Sequence, residues 1–241
     1  MILVHGGGAH SRWWDHIAPL LAVDRRVIAL DLAGHGDSGR RERYAIDSWS
    51  NDVEAVVAEA GPRPIVVGHS LGGMVTVRLA QRIGSRLGGI ALLDSIIGAP
   101  TSDPTDSGSS MPVGPSRRYD SEAAAVARFR PVPFQPGDPW ILEHVAATSV
   151  TEYVDGWSWK FDSRVFDTEI YLPMPSAPVA CGAAYLRAEH GLVSGAAAAR
   201  IGRALGSSMV VDIPAAGHHL MLDQPLALVA ALRVLLTAWD D

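Results

Sequence analysis

The sequence predicts an α/β protein built on a mostly parallel sheet of about six strands, with helices on both faces and a helical cap inserted late in the chain. Three observations favour this class. Short apolar runs alternate with stretches of helical periodicity. The runs are apolar throughout, which is typical of parallel strands that are covered on both faces. One long stretch, residues 97–177, breaks the alternation.

The strands are predicted from the apolar runs, and the helices from the segments between them. Asp47 suits the N-cap of the second helix, where Val53, Val56 and Val57 follow at helical spacing. Pro225 suits the first turn of the last helix. The predicted strands cover residues 1–4, 26–30, 64–67, 89–93, 178–184 and 209–213. The predicted core helices cover residues 12–22, 47–60, 71–83, 196–205 and a final segment that begins near 225.

Residues 97–177 are predicted to form a cap over the carboxyl edge of the sheet, while residues 1–96 and 178–241 form the catalytic core. The insertion opens with a turn-rich segment at 99–115 and contains 10 of the 16 aromatic residues. Such an insertion suits a lid over an apolar ligand, although some of the rings are expected to form a small satellite core. Its helical patches are predicted at 121–129 and 140–149.

The amino-acid composition excludes several classes of protein. The 241 residues are 48% hydrophobic and 19% charged, which fits a folded chain with a large core and excludes a disordered one. The net charge is −6, and the 19 Arg and one Lys are scattered, so we expect no nucleic-acid partner. The single cysteine, Cys181, excludes an intrachain disulfide. We recognise no signal peptide or membrane-spanning stretch, and expect a cytoplasmic protein without a membrane partner.

The segment Gly68-His69-Ser70-Leu71-Gly72 has a G-x-S-x-G pattern, directly after a predicted strand and directly before a predicted helix. A bare pattern of this kind also occurs by chance, and a glycine-rich turn with an incidental serine is the alternative. The strand–helix context favours a strained turn that exposes the hydroxyl, with small flanking residues that relieve crowding. The helix amino terminus beyond it favours developing negative charge. Ser70 is therefore the candidate nucleophile.

A serine hydroxyl needs a base before it can act as a nucleophile. The candidate is His218, which follows the last predicted strand at the same edge of the sheet and is preferred to its neighbour His219. Acyl transfer also needs donors for the carbonyl oxygen. We expect these donors to be the N–H of Leu71 and an N–H of the loop His5-Gly6-Gly7-Gly8, where glycine lets the backbone approach the substrate closely.

These motifs, in this order, resemble the α/β-hydrolase family along the whole chain. The resemblance is carried by the loop at 5–8, the segment Asp31-Leu32-Ala33-Gly34-His35-Gly36-Asp37-Ser38, the turn at 68–72, and Gly217-His218 ahead of Asp223-Gln224-Pro225. It implies an α/β-hydrolase fold with Ser70 as nucleophile and His218 as general base. It also implies that the N–H groups of Gly7 and Leu71 form the oxyanion hole. Asp31 and His35 resemble structural loop residues of the family.

The start of the chain differs from the family pattern. Family members usually have two further strands ahead of the His-Gly loop, whereas here the first predicted strand is at residues 1–4. We expect either a trimmed sheet of six strands or a chain that lacks an amino-terminal segment. A trimmed sheet leaves an edge strand that needs covering, away from the central catalytic residues.

The acid that orients the base is a second departure. In the family it usually follows the strand predicted here at 178–184, but the equivalent position holds Gly191, and Glu189 is nearby but out of register. A second position on this fold is the end of the strand after the nucleophile helix, which here carries Asp94. An aspartate at that point is costly to bury without a partner, and His218 would supply one. We favour Asp94, with Glu189 or no acid as alternatives.

The predicted function is hydrolysis of a carboxylic ester, lactone or related acyl bond of a hydrophobic or aromatic small molecule, through an acyl-enzyme on Ser70. Carbon–carbon bond hydrolysis, and a thioesterase or cyclase activity on a polyketide-like substrate, stay open because they use the same residues. A non-hydrolytic ligand receptor on this fold is the alternative of another class. No cofactor is expected, and the nine histidines show no metal-ligand spacing. The chain is expected to be a monomer or homodimer. Substrate contacts are expected from Gly6, Gly8, His69, Phe134, Trp140, Trp157 and Trp159.

Overall fold

The computed structural model describes residues 1–99, 117–167, 170–207 and 209–239. Its strands are β1 (Ile2–Val4), β2 (Ile28–Leu30), β3 (Ile65–His69), β4 (Gly89–Leu93), β5 (Val150–Tyr153), β6 (Gly156–Trp159), β7 (Gly182–His190) and β8 (Met209–Gly217). Six of them form one sheet in the order β2-β1-β3-β4-β7-β8, and every neighbouring pair is parallel. The predicted fold class, a parallel sheet of about six strands with helices, is confirmed.

Helices cover both faces of this sheet. They are α1 (Ala18–Leu21), α2 (Ile46–Glu59), α3 (Leu71–Ile83), α4 (Glu122–Val126), α5 (Pro139–Thr148), α6 (Gly195–Leu205), α7 (Leu220–Asp223) and α8 (Pro225–Trp239). Successive side chains of a strand point to opposite faces, so Ile65 and Val67 join the core under α1 and α8, while Val66 joins the core under α2, α3 and α6. No helix of the described ranges is both long and apolar enough to cross a membrane.

The first predicted helix, residues 12–22, is wrong as a single element. The structure has a 3-10 turn at Ser11–Trp14 and a separate short α1 that contains Pro19. Proline has no N–H to donate to the carbonyl four residues earlier, so a continuous helix cannot form through this point. Trp13, Trp14 and Ile17 are nevertheless buried, so apolar residues at helical spacing pack into the core here without forming one continuous helix.

The strand predicted at 178–184 is also misplaced, because β7 begins at Gly182 and extends to His190. The predicted strand ends at Ala184, before the charged Arg187. In the structure the Arg187 guanidinium forms an ion pair with Asp212, at 2.8 Å, directly across from it on the neighbouring β8. A cross-strand pair of opposite charge makes this residue compatible with the sheet.

Within the insertion, the predicted helical patches correspond to α4 and α5, and a hairpin of β5 and β6 follows them. The hairpin was not predicted. Its signal is the pair Asp155-Gly156 between two short alternating segments, with Gly156 at φ 119°. The turn-rich segment predicted at 99–115 lies outside the described residues from position 100 onward.

The insertion contacts loops at the carboxyl edge of the sheet. The N–H of Asp162 donates to the carbonyl of Gly34, in the loop after β2, at 2.8 Å. At the other end of the sheet, the side-chain amide of Gln135 donates to the carbonyl of His219, just after β8, at 3.1 Å. The strand ends that carry the candidate catalytic residues therefore lie at the edge that the insertion contacts.

Candidate active site

Ser70 lies in a sharp turn between β3 and α3. Its backbone has φ 52° and ψ −117°, a conformation that residues with a side chain rarely adopt. A Cβ at Gly68 would stand 2.3 Å from the carbonyl oxygen of Gly72, and a Cβ at Gly72 would stand 2.5 Å from that of His5. The turn therefore requires glycine on both sides of Ser70, and it leaves the serine partly exposed at the carboxyl edge of the sheet.

His218 and Asp94 form a buried pair next to this turn. The Nδ1 of His218 lies 2.8 Å from Oδ2 of Asp94, and both side chains are at most 1% exposed. An ionised carboxylate only accepts hydrogen bonds, so Nδ1 carries the proton and donates it. The other ring nitrogen, Nε2, is buried and has no hydrogen-bond partner among the described residues. The pair thus holds the imidazole in the tautomer that can accept a proton on Nε2.

The surroundings of Asp94 explain why the sequence departs from the family pattern at position 191. Oδ2 of Asp94 also accepts the N–H of Leu192 at 2.8 Å. A Cβ added at Gly191 would stand 2.3 Å from the same oxygen. The carboxylate of Asp94 therefore fills the space that a side chain at Gly191 would take, and a residue without a side chain is required there.

Glu189 lies apart from this pair, at the end of β7. Its side chain is 48% exposed, and Oε2 accepts the N–H of Ala215 at 2.7 Å. The carboxylate makes no hydrogen bond to His218 in the part of the chain that the structure describes. The geometry favours Asp94 over Glu189 as the partner of His218, and a catalytic role for either stays a prediction.

The predicted oxyanion hole lies beside Ser70. The N–H of Leu71 opens α3 and has no carbonyl within the helix to bond, like every amide of a first helical turn. The glycine loop lies against the turn, since a Cβ at Gly6 would stand 2.8 Å from Nδ1 of His69 and 3.2 Å from Cβ of Ser70. The N–H groups of Leu71 and Gly7 make no hydrogen bond among the described residues. This arrangement suits two donors to one substrate oxygen, as the sequence predicts.

A hydrogen-bonded clamp fixes the loop that carries His218. The Asp223 carboxylate accepts the N–H of Gly217 at 2.7 Å and the side-chain amide of Gln135 at 3.0 Å. The Gln135 carbonyl accepts the N–H of His219 at 2.8 Å. Burial raises the pKa of Asp223, against the lowering effect of its backbone hydrogen bonds. Sequence reasoning used Asp223 only as a family marker and did not identify Gln135, which lies 84 residues from His219.

Two other buried histidines adjoin His218. His69 donates from Nε2 to the carbonyl of His218 at 2.9 Å, and His219 donates from Nε2 to the carbonyl of Val132 at 3.1 Å. A carbonyl only accepts, which fixes both tautomers. Burial is the main cause that holds the pKa of both rings well below 6.5, and the proximity of His218 is the second cause. Both rings are therefore neutral at pH 7. The spacing along the sequence did not reveal this group, because His69 and His218 are 149 positions apart.

The cap aromatics that the sequence selected have other contacts. Trp140 is 59% exposed, and its ring packs edge-on against His16. Phe134 is 75% exposed and lines a cavity of about 390 Å³ whose described walls all come from residues 126–146. Trp159 packs against Tyr119 and Phe129, and Trp157 lies beside it on the hairpin. Their role as substrate contacts stays a prediction.

Two aromatic rings that the sequence did not single out lie at the glycine loop. A Cβ at Gly7 would stand 3.2 Å from the ring of Phe166, and a Cβ at Gly8 would stand 3.9 Å from the ring of Phe161. These two rings pack edge to face at 5.7 Å. Their signal in the sequence is their place near the end of the insertion, where the chain returns to the sheet.

A parallel sheet with a strand–serine–helix turn and a buried His–Asp pair at its carboxyl edge defines an α/β-hydrolase fold. Over residues 1–232 the chain matches the family described as the alpha/beta hydrolase family. The chain belongs to that family, and this confirms the resemblance that its motifs carry.

Curated relatives are similar over very different lengths. Lipase LipV of Mycobacterium tuberculosis is 26% identical over 243 residues, which cover 97% of this chain and 91% of that protein. The dihydrolipoyllysine-residue acetyltransferase component of the acetoin cleaving system of Pseudomonas putida is 37% identical over 97 residues. That match covers 39% of this chain, and the chain spans only 26% of the length of that relative.

Solved structures are similar over the whole chain. E-2-(acetamidomethylene)succinate hydrolase superposes with a TM-score of 0.82 and 20% identity, covering 98% of this chain and 91% of that one. The thioesterase domain from the curacin biosynthetic pathway superposes with a TM-score of 0.77 and 21% identity, covering 97% of this chain and 90% of that one. At these identities the likeness shows a shared fold.

Proposed function

We propose that this chain is a serine hydrolase that cleaves a carboxylic ester, lactone or related acyl bond through an acyl-enzyme on Ser70. In the first step Oγ of Ser70 attacks the carbonyl carbon while Nε2 of His218 takes its proton. The carbonyl oxygen becomes an oxyanion that accepts hydrogen bonds from the N–H groups of Gly7 and Leu71. His218 then returns the proton to the leaving alkoxide. Water repeats the sequence on the acyl-enzyme and frees the acid.

One observation carries this proposal: the buried His218 has an Nε2 without a hydrogen-bond partner in the described part of the chain, while its Nδ1 is held by Asp94 at 2.8 Å, beside a strained serine turn. A histidine fixed in this tautomer is the base that serine acyl transfer requires. The name of LipV, which is similar over nearly the whole chain, supports ester substrates for this chain too.

We further propose that the substrate's reacting carbonyl binds between the glycine loop and the rings of Phe161 and Phe166. These rings are the cap aromatics that approach Gly7 and Gly8. An edge-to-face pair of this kind offers an apolar wall beside the two polar donors, which favours a hydrophobic acyl or alkyl group. In this proposal residues 97–177 act as the cap of the site.

The experiment is a stopped-flow assay with p-nitrophenyl esters of graded acyl length. We expect a burst of p-nitrophenol equal to one equivalent per chain, because the acyl-enzyme forms before water frees it. Ser70→Ala is expected to abolish both the burst and the turnover. No hydrolysis of any ester in the panel would contradict the proposal and would favour the ligand-receptor hypothesis.

A further inference from the structure

The cluster of His69, His218 and His219 has a property that acyl transfer does not use. One nitrogen of each ring lies within 4.8 Å of one nitrogen of each of the other two, and all three rings are buried. The ring centroids are separated by 4.7, 4.8 and 5.4 Å. Acyl transfer needs only His218 as a base, so the other two nitrogens require another explanation.

Each of the three rings uses one nitrogen in a hydrogen bond to an oxygen and has a second nitrogen that is not used in this way. Each ring donates one N–H to an oxygen. His69 donates to the carbonyl of His218, His218 to the carboxylate of Asp94, and His219 to the carbonyl of Val132. The second nitrogen of a neutral imidazole carries a lone pair. Nε2 of His218 and Nδ1 of His219 are buried and have no partner among the described residues. A buried lone pair without a hydrogen-bond donor is unfavourable, and a cation bound between the rings would satisfy those of His218 and His219.

We propose that His69, His218 and His219 form a binding site for one divalent transition-metal ion of the zinc type. Three neutral imidazoles are a recurrent donor set for Zn²⁺, and they leave a fourth position open. Rings that bind a metal usually donate their other N–H to a carboxylate or backbone carbonyl, and all three rings here do so. Nitrogens about 2.1 Å from a tetrahedral ion are about 3.4 Å apart, so rings whose nitrogens lie within 4.8 Å of one another must approach by up to ~1.4 Å on binding.

The ion would inhibit the proposed acyl transfer, and this part of the inference depends on the proposed function. A metal bound to Nε2 of His218 occupies the lone pair that must accept the proton of Ser70. Binding forms only coordination bonds to ring nitrogens and involves no acyl transfer. Inhibition is therefore expected to be reversible by a chelator.

Binding is measured by calorimetric titration of chelator-treated full-length protein with zinc chloride. We expect one ion per chain, and at least tenfold weaker binding in His69→Gln and in His219→Gln. The matched control is His190→Gln, an exposed histidine outside the cluster, which should bind zinc like the wild type. No saturable binding in the wild type, or binding that only His190→Gln removes, would overturn the proposal.

A measurement on the wild type alone excludes misfolded variants as an explanation. Cobalt(II) bound to the cluster should give the intense visible bands of a four-coordinate ion, and zinc should displace it. Only the weak bands of hydrated, six-coordinate cobalt would contradict the site.

Failure of the site and failure of the proposed function can be distinguished. Ser70→Ala should still bind zinc, since the serine is not one of the three ligands. In the wild type, the zinc concentration that halves ester turnover should match the dissociation constant from calorimetry. Zinc that binds the cluster and leaves turnover unchanged would refute the inhibition, and no turnover in metal-free protein would refute the proposed function alone.

Discussion

Asp94 combines three unfavourable features at one position. Its side chain is fully buried, Oδ1 has no hydrogen-bond partner among the described residues, and its backbone has φ 43°. A buried charge costs several kcal/mol unless it is paired, and a positive φ costs a further ~1–3 kcal/mol. Such a combination persists where the surrounding structure enforces it, and the His218 imidazole and the N–H of Leu192 are the groups that stabilise it.

Substitution of this residue tests its assignment. Asp94→Asn should lower kcat by roughly 10⁴-fold, because the amide can turn its N–H toward Nδ1 of His218 and favour the wrong tautomer. Glu189→Gln is the control and should keep wild-type turnover, since the Glu189 carboxylate accepts the N–H of Ala215 at 2.7 Å and makes no hydrogen bond to His218 among the described residues. The measurement is steady-state ester hydrolysis with circular dichroism to confirm folding. Full turnover in Asp94→Asn would show that the assignment is wrong.

Gly191 gives an independent prediction about the same carboxylate. Gly191→Ala should lower kcat at least tenfold and destabilise the fold by about 1–3 kcal/mol, because its Cβ would overlap the Asp94 carboxylate. Gly39→Ala is the matched control, since a Cβ there meets nothing within 4 Å. Urea unfolding and ester hydrolysis measure the two effects. Equal turnover and equal unfolding free energies in the two variants would contradict the packing of Gly191 on Asp94.

At the scale of single residues, the sequence identified Ser70, His218 and Asp94 as candidates but kept Glu189 as an alternative to Asp94. The reason is physical: a pair separated by 124 positions is brought together only by the order of the strands. The same limitation hid Phe161 and Phe166 at the glycine loop, since ten aromatic residues of the insertion look alike in sequence.

Among the elements, the turn between β3 and α3 stores strain that a stability measurement can detect. Ser70→Gly should be more stable than Ser70→Ala by about 1 kcal/mol, because glycine tolerates the positive φ of 52°. Ser48, in the first turn of α2, is the control, and there the glycine variant should be less stable than the alanine variant. Chemical denaturation of the four variants tests this. If alanine were more stable than glycine at both positions, the backbone of Ser70 would not be strained.

Elements were predictable where a single local signal dominates. The buried runs of β3 and β4 and the spacing of α2 were located correctly from the sequence. The end of β7 was not, because Arg187 is compatible with a strand only through Asp212 on the neighbouring strand. The break before α1 was visible in Pro19, but the buried residues around it mimic one continuous helix.

For the whole molecule, ion pairs account for many of the scattered arginines. Arg82 and Arg86 both reach Glu54 from the end of α3 and the turn after it, at 2.8 and 2.9 Å, and so link this region to α2. Partly exposed pairs of this kind stabilise a protein little individually. These pairs place arginines next to carboxylates, which the chain has in excess, with 26 Asp and Glu against 20 Lys and Arg.

Buried histidines predict how the stability of the whole chain depends on pH. Burial lowers the pKa of His5 and His10 to about 4, and that of His35 to about 3. In the unfolded chain each would titrate near 6.5, so the unfolded state binds more protons between pH 4 and 6.5. The stabilising effect is fully present above pH 6.5 and is lost as the pH falls toward 4, with a slope of about 1.4 kcal/mol per pH unit for each ring.

The comparison is with His10→Gln, measured by urea unfolding between pH 7 and pH 5. Removing one buried ring should reduce the slope by up to about 1.4 kcal/mol per pH unit in the part of this range below pH 6.5, whatever the change in stability at pH 7. An unchanged slope would contradict a neutral, buried His10 in the folded state.

The central claim is that Ser70 is an activated nucleophile, and covalent labelling tests it most directly. Intact mass spectrometry after treatment with a serine-directed phosphonate should show one adduct per chain, located by peptide mapping on Ser70. Ser70→Ala should give no adduct, and Asp94→Asn should react much more slowly. The absence of an adduct in the wild type, or an adduct that persists in Ser70→Ala, would contradict the account.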